Sequence, residues 1–441
     1  MIAWSIFAVG GVYAWASAPL IAAAALLAAG FRPRIASSGE TRLLDVALIV
    51  SAAAVALQLI PLPSSFLRAI SPNSQMVRST LLLSPNEDWH PVSLSPGSTA
   101  YALALLLSAM VTFWTARQAC AGGAARPLVR AVAIIGLLAT VAAIMQQAGN
   151  PLLIYGRWTA RDEGARPFGP FINRNHFATW VLMGLPLAVG HVAAAVSARK
   201  PTRRIAAEIA ELLQGLGTST AWVAVAAAVM TVGLVASTSR SALIALAVSI
   251  VAGAWIGRHR MDRRTRRWGL AGVILIAGAV LAYVNLQPLL LRIEETLAVG
   301  AGGRPEIWRE TLGVVRDFWI TGTGLASYQT AMLVYQRMNR TVFVNQAHNQ
   351  YLQLLAEGGV LVAIPALIAV FSFARLFRAR LMADSSPSAW LRIGAVTALI
   401  AAAVQSCWET GLRMPANGIL FAVTAAIAVH RPAHTIRRAQ E

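Results

Sequence analysis

Charge is scarce in this sequence, and so are acidic side chains, lysine and cysteine. Only 12% of the 441 residues are charged, 18 are acidic against 37 basic, and Lys200 is the only lysine. So little charge beside 57% hydrophobic residues and a mean hydropathy of +0.61 excludes a single soluble core, because the apolar stretches far exceed what one core can bury. The two cysteines, Cys120 and Cys407, provide no disulfide framework. The acidic residues Asp162, Glu163, Glu306 and Asp317 are scattered without metal-ligand spacing, so neither a metal nor another cofactor is expected. Strand-like alternation, internal repeats, low-complexity tracts and a soluble catalytic domain are all missing. The segment AWASA looks like a signal-peptidase site, yet no basic region precedes it and the apolar run continues past it, which reads as a retained membrane segment.

What remains is an all-α polytopic membrane protein. Windows of about twenty residues place spans near 43–62, 99–120, 129–149, 176–197, 219–236, 240–257, 268–286, 350–373, 390–408 and 415–430. Residues 1–30 add one long span or a hairpin broken at Gly10-Gly11, for about eleven or twelve transmembrane helices in all. The net charge of +19 invites a nucleic-acid reading, but the arginines fall in short clusters between spans and no basic aromatic patch is present, so no nucleic acid is expected. The clusters FRPR at 31–34, Arg117 to Arg130, ARKPTRR at 198–204, RHRMDRRTRR at 258–267 and RLFRAR at 375–380 alternate onto one side, which the positive-inside rule makes cytoplasmic. Cys120 and Cys407 then fall on opposite faces. Three regions follow: membrane helices over 1–286, an external loop over 287–349, and membrane helices with a cytoplasmic tail over 350–441.

The external loops carry the chemistry. VNQAHNQYLQLLAEGGVLVAI places His348 at the start of an apolar helix, expected in its first turn, where unpaired N–H groups and the dipole disfavour the imidazolium. A neutral ring can accept a proton; the competing reading is a helix cap or interfacial anchor. STSRSALIALAV puts Arg240 in a tight turn between two spans, where arginine needs a partner or lipid phosphate. GRWTARDEGARPFGPFINRNHFATW brings Arg157, Arg161, Arg166 and Arg174 to the side where arginine is disfavoured, either as a site or as a surface against anionic membrane lipids. In the long loop, Pro305 opens an amphipathic helix with Ile307, Thr311, Leu312 and Val315 at helical spacing and Arg304 at its edge. Ser327 is placed to cap a second helix running through Met338. Several arginines and one histidine facing the same side fit a ligand rich in negative charge, since the guanidinium fork binds a diphosphate in bidentate fashion.

The segments RPFGPFINRNHFA at 166–178, STSRSALIAL at 237–246, GGRPEIWRETL at 302–312, DFWITGTGLASY at 317–328 and HNQYLQLLAEGGVL at 348–361 resemble, in order and spacing, the O-antigen ligase and polymerase family of bacterial inner-membrane proteins. The resemblance implies a C-type (GT-C) helical glycosyltransferase. Its site would face the periplasm and transfer a glycan from undecaprenyl diphosphate to lipid A-core or another glycan acceptor. It further implies that Arg166, Arg240 and Arg304 contact the diphosphate, with Arg161 as an additional candidate, and that His348 is the catalytic or substrate-contacting histidine. Where the family's first loop commonly reads Gly-Asn-Pro-Asn, this chain has Ile172 and Arg174 at the glycine and proline places, which admits Arg174 to the cavity. Ligation, polymerisation and transfer to protein hydroxyls share this machinery; the absence of an appended domain favours the ligase. The reading from another class is a secondary transporter of anions, which should show interrupted helices in paired halves.

Overall fold

The computed structural model describes residues 1–83, 88–160, 165–198, 218–261, 303–338 and 343–431. Most of them are helical: α1 (Ile2–Phe7), α2 (Ala14–Phe31), α3 (Gly39–Leu57), α4 (Ser64–Ile70), α5 (Pro72–Thr80), α6 (Pro96–Ala119), α7 (Ala125–Ala148), α8 (Arg174–Ser197), α9 (Thr218–Ala236), α10 (Arg240–Gly257), α11 (Arg304–Asp317), α12 (Tyr328–Tyr335), α13 (Gln350–Ala383), α14 (Ala389–Gln405) and α15 (Pro415–Val429). Two short antiparallel pairs interrupt them, Pro61–Pro63 with Trp89–Pro91 and Leu153–Ile154 with Trp158–Thr159. Six helical stretches among the described residues are long and apolar enough to cross a membrane: α2, α6 together with α7, α8, Ser219–Ala236, α10 and α13. Helices α14 and α15 are shorter and also apolar. The chain is an all-α multi-pass membrane protein. The span expected near 268–286 and the region boundary at 286 lie outside the described residues.

The N-terminus breaks where its glycines fall, with φ of 67° at Gly10 and 74° at Gly11. The arm before the break, α1, has six residues and at 1.5 Å per residue is too short to cross a bilayer. Only α2 is long enough to do so. The long helical run from Pro96 to Ala148 breaks in the same way at Gly123, φ 100°.

Helix packing relies on small residues. Gly190 of α8 and Gly394 of α14 face each other so closely that a Cβ on Gly190 would sit 2.6 Å from the Trp390 carbonyl oxygen. Backbone contact of this kind holds membrane helices together where lipid offers no hydrophobic drive between them. Leu367, Val370 and Phe371 on the flank of α13 are exposed, as suits a surface bathed by acyl chains.

The two ends of the bundle differ. At one end Arg117 is held against buried Asp45 at 2.8 Å, Arg392 against Asp384 at 3.0 Å, and Arg380 against Glu40 at 2.5 Å. At the other end the connecting segments are joined by hydrogen bonds: Leu94 N–H donates to the Thr323 carbonyl at 2.8 Å, Asn73 Nδ2 to the Asp317 carbonyl at 3.3 Å, and Gln350 N–H to the Ser406 carbonyl at 2.9 Å. Cys120 belongs to the first end and Cys407 to the second, both as free thiols.

Helix α13 is discontinuous. Gly359 takes φ 55° and ψ −163°, and the backbone groups released there are satisfied by the TGTG segment. Thr323 and Gly324 N–H donate to the Ala356 and Glu357 carbonyls at 2.9 and 3.0 Å, and Val360 and Leu361 N–H donate to the Trp319 and Ile320 carbonyls at 2.8 and 3.0 Å. Fully buried Gln58, just past α3, completes the joint by donating to the Thr321 and Glu357 carbonyls and accepting from Leu325 N–H. Irregular backbone at such depth is tolerated only where every group finds a partner.

Candidate functional site

Three helices at the loop end begin with arginine. Arg174, Arg240 and Arg304 are the first residues of α8, α10 and α11, behind the caps Asn173, Ser239 and Gly303. A cation at a helix N-terminus opposes the macrodipole, whereas an anion there is favoured by both the dipole and the free N–H groups. The three N-termini are neighbours. Arg174 donates to Thr238 Oγ1 at 2.6 Å, two residues before Arg240, and Asn175 shares one carboxylate with Arg304.

That carboxylate belongs to Glu409, which is 1% exposed. Its Oε1 accepts from Asn175 Nδ2 at 2.7 Å and from Arg304 Nη2, while its Oε2 lies 3.8 Å from His348 Nδ1. Neither Glu409 Oε2 nor His348 Nδ1 has a hydrogen-bond partner among the described residues. Arg304 still has donors to spare, because a guanidinium carries five and the carboxylate engages one nitrogen.

The remaining arginines are placed as follows. Arg166 is exposed and lies beside α8 through an isolated bridge to Asn173 and a 3.1 Å bond from Arg174 N–H to its carbonyl oxygen. Arg240 is exposed, and neither it nor Arg166 has a side-chain hydrogen bond or ion pair with another described residue. Arg161 lies outside the described residues. The structure thus brings Arg166, Arg174, Arg240, Arg304 and His348 to one end of the bundle, linked through Asn175, Thr238 and Glu409.

Three expectations need correction. His348 does not enter the first helical turn: Asn349 is the N-cap and accepts from Tyr351 and Leu352 N–H at 3.0 Å each, the usual work of a short polar side chain at this position. His348 therefore precedes the helix in a left-handed conformation, φ 48°, and the ring faces a carboxylate rather than orphan N–H groups. The second loop helix ends at Tyr335, short of Met338, and Ser327 makes no capping bond; its hydroxyl turns back to the Thr323 and Gly324 carbonyls. On α11 the buried residues are Thr311 and Val314, while Leu312 is 53% exposed.

The loop helices pack as a small cap around Val314, Phe318, Tyr328 and Met332. Burial pushes the Tyr328 phenol up to about 12, so it stays neutral and pairs with Thr311 Oγ1 at 2.7 Å. The cap is tied to the site by Trp308 Nε1, which donates to the Ala347 carbonyl at 2.9 Å.

Sequence reasoning missed Glu409. The signal available was an acidic residue in the short WETGLR turn between two apolar segments, at the end where arginines gather. Among the described residues, no group of three or more histidine, cysteine, aspartate or glutamate side chains is arranged to hold a metal ion.

With this geometry in view, residues 225–367 match the family model described as O-antigen ligase. The match spans Arg240, Arg304 and His348, and also the break in α13; Arg166, Arg174 and Glu409 fall outside it. No curated protein matches the chain.

Proposed function

We propose that this chain, whose residues 225–367 match the family model described as O-antigen ligase, is a glycosyltransferase that moves a glycan from undecaprenyl diphosphate to an acceptor hydroxyl at the periplasmic face of the inner membrane. The observation that carries the reading is the meeting of the α8 and α11 N-termini on one buried carboxylate that also faces a histidine, with the arginine-led N-terminus of α10 joined to α8 through Arg174 and Thr238. Arg166, Arg240 and Arg304 bind the diphosphate, with Arg174 beside them, and Arg161 belongs to the same loop. As the glycosidic bond breaks, charge grows on the leaving diphosphate, and fixed guanidinium groups stabilise it most at that moment.

His348 removes the proton of the attacking hydroxyl. Glu409 orients its ring and offsets the positive charge the ring acquires, as a carboxylate behind a general base does. With the leaving-group charge met by arginine, the transfer proceeds without a metal. The acceptor is lipid A-core, which makes the enzyme a ligase; a second donor glycan would make it a polymerase. An anion transporter is disfavoured by the clustering of arginine and histidine at one end of the bundle.

The test is reconstitution of the full chain with undecaprenyl diphosphate glycan and EDTA, offering lipid A-core, a second donor or a peptide. Product with lipid A-core supports ligation. Product only with the second donor or the peptide moves the assignment within the family, and movement of donor or phosphate across the bilayer without any new glycosidic bond overturns it.

A further inference from the structure

Glu357 is a buried carboxylate that the proposed chemistry does not use. It is 2% exposed, at the broken joint of α13, and four donors converge on it. Its Oε1 accepts from Arg413 Nη1 at 3.0 Å, Gln353 Nε2 at 3.0 Å and Tyr328 N–H at 3.3 Å, and its Oε2 accepts from Ala326 N–H at 2.9 Å. Two of these contacts lead back to the candidate site by separate routes. Buried Gln353 accepts, through its own Oε1, the N–H of Ala347 at 2.9 Å, the residue immediately before His348. Arg413 belongs to the short 409–414 turn that begins with Glu409.

We infer that Glu357 is a positioning residue that sets the register of His348 against Glu409, holding the histidine segment through Gln353 and the glutamate turn through Arg413. A burial this deep is costly for a carboxylate unless all its acceptor sites are used; here they are used to join segments that are far apart in the chain. The left-handed backbone of Ala326 and His348, φ 64° and 48°, fits the same picture, since strained residues persist where surrounding contacts over-determine them. The inference rests on reading His348 and Glu409 as the pair that handles the acceptor proton.

The experiment is a double-mutant cycle on the full chain in lipid nanodiscs. Undecaprenyl diphosphate glycan serves as donor, lipid A-core and a second donor molecule are both offered as acceptor, and release of undecaprenyl diphosphate is the readout. Glu357→Gln should lower turnover about tenfold and leave donor affinity within about twofold, because Arg166 and Arg240 do not depend on Glu357. Glu357→Gln combined with Glu409→Gln should be no slower than Glu409→Gln alone, since coupled residues are non-additive. Losses that multiply, or a fall in donor affinity that matches the fall in turnover, would reduce Glu357 to a general structural role and overturn the inference. Normal turnover in Glu409→Gln would instead sink the site reading.

Hydrogen exchange needs no substrate and keeps the two failures apart. Glu357→Gln should raise exchange at the Ala326, Tyr328 and Ala347 amides together, and unchanged protection at all three would also overturn the inference. Arg413→Gln, which leaves the carboxylate in place, should give the same loss of turnover with a smaller change at Ala347.

Discussion

His348 Nδ1 lies 3.8 Å from Glu409 Oε2, and Arg304 binds the other oxygen of the same carboxylate. One buried glutamate therefore stands between the histidine and an arginine that come from different segments of the chain. Glu409→Gln keeps the shape and removes the charge. Turnover should fall by about tenfold to a hundredfold with donor affinity little changed, as expected for a group acting on the transition state. Steady-state kinetics with varied donor checks this.

His348→Ala removes the proposed base. General-base catalysis typically contributes about 10²- to 10⁴-fold, so turnover should drop by at least a hundredfold while equilibrium donor binding persists. Equal loss of donor affinity in a direct binding measurement would assign His348 to binding instead.

The arginines should separate by their partners. Arg240 is exposed and without a partner among the described residues, so Arg240→Ala should weaken donor binding without lowering stability. Arg304→Ala also strips buried Glu409 of its cation and leaves Asn175 as its hydrogen-bond donor, a loss of about 1–3 kcal/mol. Thermal unfolding in nanodiscs should show a lower Tm for Arg304→Ala than for Arg240→Ala, and Arg304→Ala combined with Glu409→Gln should recover part of that loss.

Packing provides a test away from the site. A side chain on Gly394 would meet the Pro186 carbonyl oxygen at 2.5 Å, so Gly394→Leu must push α8 and α14 apart. Over-packing costs about 1–3 kcal/mol or more, and the variant should insert poorly or unfold at lower temperature, whereas Gly122→Leu, in open space, should not.

Much of the architecture was legible because it rests on local pattern. Apolar runs, the glycine break at Gly10-Gly11 and Pro305 in the first turn of α11 all depend on residues close in sequence. Arg174, Arg240 and Arg304 stood out because charge on the loop side is conspicuous in an arginine-clustered sequence. Glu409 did not, since its partners Asn175, Arg304 and His348 come from three other segments and only tertiary contact unites them. Glu357 was hidden in a different way: a lone carboxylate inside an apolar run signals function by its cost, but its four donors lie on the 326–328 segment, on its own helix and on the 409–414 turn. The placement of His348 failed by two residues, because Asn349 is the better cap, the helix begins at Gln350, and the histidine is left outside it.

The most direct test of the account is donor turnover by the reconstituted full chain carrying Arg166→Ala, Arg240→Ala or Arg304→Ala singly, with insertion verified for each. The unaltered chain should release undecaprenyl diphosphate in the presence of EDTA, and each variant should lose this release. Normal product from all three variants would contradict it.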